Sequence, residues 1–437
     1  MNEKKKILEL DDKYIWHPYS QKKNEADPLI VVSGEDDKIF DIDGNQYYDL
    51  ISSWWVTTHG HCNKKISAAI KNQLKKLEQI IFSGFTHAPA VKLAELLTSK
   101  LPKDISRVFY SDNGSTSVEI ALKVAYQYWY NQGEKQRKKF LAIEGGYHGD
   151  TLGAMSVGFS SGFYKPFADM VIKNEFFPCP FTWEGDNEIF EKEKNSLEAI
   201  DLILDQVENE VAAVIIEPLV LGASGMKIYR ADYLDKLVKK IKKRKILVIF
   251  DEVLTGFGRT GKMFATDHLD SNPDIICLAK GLTAGYIPLA ATIFSEHIHK
   301  QFVNDDFSKT FLHGHSFTAN PISCAAAIAS MKIFDEEKTL EKVKLQESHH
   351  KEGLELLKLN SKVSHIRNIG GIAAFDIMGH KDEYGSKLGN KLRHIFLKKG
   401  LIIRPLGNTL YLMPPYCTKK EILENVYLEI DKELKKN

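Results

Sequence analysis

Ile246-Leu247-Val248-Ile249-Phe250-Asp251 is a run of five apolar residues closed by a carboxylate, and two stretches built the same way flank it. Ala212-Ala213-Val214-Ile215-Ile216-Glu217 precedes it, and Ile275-Ile276-Cys277-Leu278-Ala279-Lys280 follows. Runs this short and this continuously apolar suit strands buried on both faces, the pattern of a parallel sheet covered by helices. Between the first two lies 233–244, where Leu234, Leu237, Val238 and Ile241 recur at helical spacing. A strand–helix–strand crossover is predicted there, and with it an α/β fold. Lys239, Lys240, Lys242 and Lys243 on that helix read as a solvated outer face rather than a phosphate-binding patch.

Outward from this centre the pattern changes. Toward the N-terminus, 29–32, the pair Ser33-Gly34, and 38–42 closed by Asp43-Gly44 predict a small antiparallel element with turns at the two glycine pairs. From about Lys64, stretches such as 66–77 and 90–97 have helical periodicity. A small-residue helix around 325–331 precedes a charged helical region, after which β-like runs return at 372–377 and 401–403. This divides the chain into an N-terminal segment 1–52, a large domain 53–335 and a C-terminal part 336–437, the two ends together forming one small α+β domain.

With 437 residues, 43% hydrophobic and 27% charged, the chain can bury a large core, which excludes disorder and a small disulfide scaffold. A net charge of +1 points to neither nucleic acid nor an anionic membrane. The five cysteines (Cys62, Cys179, Cys277, Cys324, Cys417) are odd in number and never spaced C-x-x-C, which speaks against disulfides or a thiolate zinc site and fits a reducing cytoplasm. Asp11-Asp12 follows the lysines of the start where a signal peptide has an apolar stretch. No apolar run approaches the roughly 18–20 residues of a membrane helix.

The informative feature is that each buried strand is followed by an ionisable residue: Glu217, Asp251 and Lys280. Ligands of open α/β sheets bind beyond the carboxyl ends of the strands, so these three are expected to converge on one crevice. A lysine beside a carboxylate there forms either a structural ion pair or a site for pyridoxal phosphate, the lysine bonded to the cofactor and the carboxylate on its ring nitrogen. The second reading needs a phosphate site, and one is available where 107–110 reads as a strand, 111–115 as a turn and Val118 onward as a helix, with hydroxyls of Ser115, Thr116 or Ser117 nearby. Thr116-x-x-Glu119 is also an ordinary capping box. In Gly145-Gly146-Tyr147-His148-Gly149-Asp150, after the strand-like 140–143, Tyr147 either stacks on a cofactor or merely packs. Arg404, directly after 401–403, suits a substrate carboxylate or a surface ion pair.

Two motifs mislead. Gly256-Phe257-Gly258-Arg259-Thr260-Gly261 matches the dinucleotide pattern G-x-G-x-x-G of a nicotinamide dehydrogenase, but it does not follow its strand directly and no helix start follows it. His59-Gly60-His61 and His313-Gly314-His315 could ligate a metal, yet no H-E-x-x-H helix accompanies them, so no metal is expected.

The stretch Ile249-Phe250-Asp251-Glu252-Val253-Leu254-Thr255-Gly256-Phe257-Gly258-Arg259-Thr260-Gly261, with Lys280 downstream, resembles the class III pyridoxal-phosphate aminotransferases. The resemblance spans nearly the whole chain, through Gly145 to Thr151, His313-Gly314-His315-Ser316-Phe317 and Asn320-Pro321. It implies a fold type I PLP-dependent transferase, an α/β protein with a mainly parallel central sheet flanked by helices, and a homodimer with shared active sites. Pyridoxal 5'-phosphate is expected in the 53–335 domain. Within the family, Trp16-His17-Pro18-Tyr19, Ser52-Ser53-Trp54-Trp55 and Arg404-Pro405-Leu406-Gly407 leading to Tyr411-Leu412-Met413-Pro414-Pro415-Tyr416 look like the members that aminate 8-amino-7-oxononanoate in biotin biosynthesis, with S-adenosylmethionine or lysine as amino donor.

By that resemblance Lys280 bonds to the cofactor's aldehyde, Asp251 pairs with its ring nitrogen, Tyr147 stacks on the ring, Gly114 and Ser115 hold the phosphate, and Glu217 supports the site from beside Asp251. Tyr19, Trp54, Tyr147, Asp150, Lys280, Gly314, Arg404 and Tyr411 are the expected substrate contacts, with Arg404 on the keto acid's carboxylate and Tyr19 joining Lys280 and Asp251 in catalysis. The family usually reads Pro-Thr where this chain has His315-Ser316, and Ser316 keeps the hydroxyl expected to reach the phosphate across the dimer. Another ω-amino acid transaminase and an aminomutase share these features.

Overall fold

The computed structural model describes residues 3–24, 26–161, 164–380 and 387–436. Near the N-terminus β1 (Val31–Glu35), β2 (Lys38–Asp41) and β3 (Gln46–Asp49) form an antiparallel meander. Ser33-Gly34 lies inside β1 and is not the expected turn; the chain reverses at Asp36-Asp37, where Asp36 takes a φ of 53°. Asp is among the few residues whose short polar side chain makes that region accessible. Gly34 answers to packing instead, because a Cβ there would sit 2.9 Å from that of His61.

The central sheet uses β4 (Ile105–Ser111), β5 (Lys139–Ile143), β6 (Glu175–Phe177) and β7 (Val211–Ile216); then, beyond a small hairpin of β8 (Val220–Leu221) and β9 (Lys227–Ile228), it uses β10 (Leu247–Asp251), β11 (Ile275–Leu278) and β12 (Ala290–Ser295). Its order is β4-β12-β11-β10-β7-β5-β6. β12 runs antiparallel to both its neighbours and the other pairs are parallel. Every residue of β7, β10 and β11 is buried, as the unbroken apolar runs require. The crossover helix Ala231–Lys243 buries Leu234, Leu237, Val238 and Ile241, while Lys240 and Lys242 turn outward to Asp201 and Asp274.

The helix after β4 is Gly114–Asn131, starting four residues earlier than the sequence pattern suggests. Asn113 wins the cap: its side chain accepts from the Thr116 amide at 3.1 Å, and the Thr116 hydroxyl accepts from the Asn113 amide at 3.1 Å. Glu119, the other candidate partner, instead accepts the amides of Gly153 and Ala154 at the start of helix Leu152–Val157.

At the C-terminal end β13 (Val363–Ile369), β14 (Ile372–Ile377) and β16 (Thr409–Leu412) form an antiparallel sheet, whereas β15 (Leu401–Ile402) crosses over to pair in parallel with β3. That pairing joins the two ends of the chain. No helix among the described residues is long and apolar enough to cross a membrane.

Ile249 stands at the middle of the sheet with no exposed surface. Ile249→Ala is expected to cost about 2–5 kcal/mol, read as a lower urea midpoint at unchanged slope.

Candidate active site

Because β7, β10 and β11 are adjacent and parallel, their carboxyl ends open on one side. Glu217 follows β7, Asp251 closes β10 and Lys280 stands just past β11. All three line one cavity of about 480 Å³, together with Gly114, Ser115 and Tyr147. Lys280 itself has a φ of 42°, a strained conformation for a residue with a side chain, which aims it off the strand end and starts the short helix Lys280–Thr283.

Asp251 is buried, and both its oxygens are held. Oδ1 accepts the Val253 amide at 3.0 Å, and Oδ2 lies 2.7 Å from His148 Nδ1. Glu217, also buried, accepts the amides of Tyr147 at 2.9 Å and Gly222 at 3.1 Å. It therefore ties the glycine-rich turn after β5 to the β8–β9 hairpin. Burial pushes the Glu217 carboxyl up to about 7 against the pull of His148, with Asp251 adding to the rise. The enclosure acts on Lys280 in the opposite sense, lowering its ammonium from 10.5 to about 8 although Asp251 and Glu217 oppose the drop.

Helix Gly114–Asn131 presents its first turn to the same cavity. The amides of Gly114 and Ser115 have no acceptor within the helix, and the helix dipole adds positive potential. A Cβ on Gly114 would meet Val253 at 2.7 Å, so only glycine lets this turn approach the end of β10.

A smaller cavity of about 170 Å³ adjoins, sharing Tyr147 and Lys280 and adding Tyr19, Trp54, Arg404 and Tyr411. The Tyr19 hydroxyl donates to Asp150 Oδ2 at 2.6 Å and Tyr147 donates to the same oxygen at 3.1 Å. The Arg404 guanidinium lies 4.7 Å from the Trp54 ring centre, and the Trp55 indole donates to the Tyr411 hydroxyl at 2.9 Å. Thus Gly114, Ser115, Tyr147, Glu217, Asp251 and Lys280 meet in one cavity, with Tyr19, Trp54, Asp150, Arg404 and Tyr411 beside them. Gly314 and Ser316 do not join them within one chain; both are exposed, and the Ser316 carbonyl accepts from Gln79.

The sequence pattern does not single out His148 or Trp55. His148 is the neighbour of Tyr147, and the side chain of Trp55, whose ring centre is 4.5 Å from Lys280 Nζ, is brought in by a run of left-handed residues at Ser52, Ser53 and Trp55. The Gly256–Gly261 stretch opens no helix; its Arg259 is buried and donates to the carbonyls of Trp55 and Thr57. Among the described residues no group of three or more His, Cys, Asp or Glu could hold a metal.

These residues fit a phosphorylated pyridine aldehyde. The helix start matches a phosphate, and a buried carboxylate and an amine of lowered basicity line the same cavity.

Comparison with known proteins gives the family. The model of the family Aminotransferase class-III matches residues 19–434. The adenosylmethionine-8-amino-7-oxononanoate aminotransferase of Synechococcus elongatus is 46% identical over 95% of this chain and 97% of its own. The crystal structure of the enzyme of that name from Methanocaldococcus jannaschii superposes with a TM-score of 0.92 at 36% identity, covering 99% of both chains. An amine transaminase from an uncultivated Pseudomonas species, solved in a PLP-bound form, gives 0.89 at 30% identity over 96% of this chain and 98% of its own.

In protein freed of small molecules, acylation of Lys280 should rise with pH around a midpoint near 8, because only the neutral amine reacts. Peptide mapping of the modified lysines checks this; a midpoint near the ordinary 10.5 would contradict the enclosure described.

Proposed function

The chain belongs to the class III aminotransferase family, and on that premise we propose that it holds pyridoxal 5'-phosphate and aminates 8-amino-7-oxononanoate to 7,8-diaminononanoate, with S-adenosylmethionine as amino donor, in biotin biosynthesis. The observation that carries the chemistry is the placement of Glu217, Asp251 and Lys280 at three neighbouring strand ends around one cavity. The names of the full-length relatives support the substrate pair.

When bound, the cofactor supplies an aldehyde that exchanges amines and a ring that draws electrons from the substrate carbon. The protein supplies the rest. Lys280 Nζ would hold the aldehyde, and as a free amine with its basicity lowered to about 8 it would serve as the base for the proton on the carbon bearing the exchanged nitrogen. Asp251, oriented by His148, puts negative charge at the ring nitrogen and favours its protonated form. Gly114 and Ser115 receive the phosphate, and Tyr147 covers the ring. Tyr19 and Asp150 shape the entrance, Trp54 and Tyr411 flank the acceptor's chain, and Arg404 takes its carboxylate.

Gly314 and Ser316 enter this reading through a second copy. An apolar groove of about 700 Å³ lies beside them, lined by Tyr126, Tyr130, Ile172 and Leu312, of which Ile172 is 55% and Leu312 70% exposed. A homodimer that covers this groove would carry 314–316 toward the site of the other copy. The same reading makes 53–335 the cofactor domain, completes the small domain from 1–52 and 336–437, and places the enzyme in the cytoplasm.

Purified protein should show a visible band that borohydride fixes on Lys280 and that adenosylmethionine alone shifts before any keto acid is added. A colourless protein unaffected by pyridoxal phosphate sinks the proposal, and a coloured one that answers to lysine instead changes only the donor. Arg404→Ala should raise the KM for 8-amino-7-oxononanoate by roughly 10–100-fold, the loss of one charge-assisted pair; an unchanged KM would remove Arg404 from the carboxylate's path.

A further inference from the structure

The β8–β9 hairpin forms part of both cavities' framework without belonging to the sheet that anchors them. Its Gly222 amide holds Glu217, Ala223 lines the smaller cavity, and Ser224 donates to the Gly145 carbonyl at the base of the Tyr147 turn. The hairpin tip is conformationally costly at Met226, whose φ is 50°, next to Gly225 at 91°. A separate element must hold it.

That element is β13. Arg367, 4% exposed, sends its planar fork to the tip: Nε donates to the Met226 carbonyl at 2.9 Å and Nη2 to the Gly225 carbonyl at 2.5 Å. The same Nη2 meets Asp376 Oδ1 at 2.8 Å and Thr409 Oγ1 at 3.2 Å, and the Thr409 hydroxyl donates to Asp376 Oδ1 at 2.7 Å. Thr409 lies on β16 two residues before Tyr411, on the same face, and Tyr411 receives the Trp55 indole at the cavity wall. A Cβ on Gly225 would approach Thr409 Oγ1 to 2.7 Å, so tip and strand are in contact.

We propose that Arg367 is a positioning residue for the substrate cavity, clamping the tip of the β8–β9 hairpin to β14 and β16 and thereby setting Ala223, the Gly222 amide and Tyr411 in register around the bound acceptor. Lysine cannot replace it fully, since a point charge can satisfy Asp376 but not two carbonyls at once. The kinetic part of the test rests on the proposed transamination; the exchange part does not.

Hydrogen exchange followed by mass spectrometry on holoenzyme compares wild type, Arg367→Lys and Gly225→Ala, the last straining the tip from its own side should the arginine variant fail to fold. Both variants should exchange the amides of 219–229 roughly tenfold faster, with those of β10 unchanged, and raise the KM for the keto acid more than they lower kcat. Wild-type exchange at 219–229 in a folded variant overturns the proposal, as does acceleration spread equally through β10. Changed exchange with no activity on the keto acid even in wild type would leave the clamp standing and defeat the substrate assignment instead.

Discussion

A carboxylate at the end of a fully buried strand is the constraint around which this molecule is arranged. Asp251 sits in the middle of the central sheet, where an unpaired charge would cost several kcal/mol. The His148 Nδ1 contact at 2.7 Å and the Val253 amide at 3.0 Å meet that demand. His148 can stand there only because the turn 145–149 brings it over the sheet, with Gly145 and Gly149 in positive φ. The turn is held in its own place by Glu217 through the Tyr147 amide. The three groups after the strands are thus coupled parts of one arrangement, not separate end-groups.

That coupling sets the chemistry. The cavity holds two carboxylates and one amine, and burial acts on Glu217 and Lys280 against their charge: Glu217 rises to about 7 while Lys280 falls to about 8. A lysine of this kind is nucleophilic near neutrality without a dedicated base, which is what amine exchange at an aldehyde needs. Arg259, buried behind Trp55, adds to the fall in Lys280 and braces the backbone of the indole that lies against it. The glycine-rich segment that imitates a dinucleotide loop is in this structure a carrier for that guanidinium.

Much of this was legible in the residues, and the limit has a physical basis. Apolar runs report strands buried on both faces, so β7, β10 and β11 and the ionisable residues after them could be read directly, and their convergence follows from parallel order. Local competition between caps is harder to read: Thr116 and Glu119 read as a capping box, and only the approach of helix Leu152–Val157 decides that Glu119 is engaged elsewhere while Asn113 caps the helix. The Asp36 turn is obscured because Gly34 nearby looks like the better reversal. His148 and Arg367 have no local signature, since one acts on a side chain and the other on a backbone segment far away in sequence. The pocket residues Tyr19, Trp54 and Tyr411 were legible only through the family resemblance, for the same reason, while Arg404 after its β-like run left two readings open.

The separation of those pocket residues from the sheet carries its own consequence. Glu217, Asp251 and Lys280 come from the C-terminal ends of buried strands, which are the most rigid positions available. Tyr19, Trp54, Arg404 and Tyr411 of the smaller cavity come from the two ends of the chain, joined where Leu401 of β15 pairs with Tyr48 of β3. This pairing stands next to both Trp54 and Arg404 in sequence, so the aromatic face and the guanidinium above it are delivered by one short parallel contact. A change in 50–56 or 403–411 can therefore alter what is bound while Asp251, His148 and Lys280 keep their geometry.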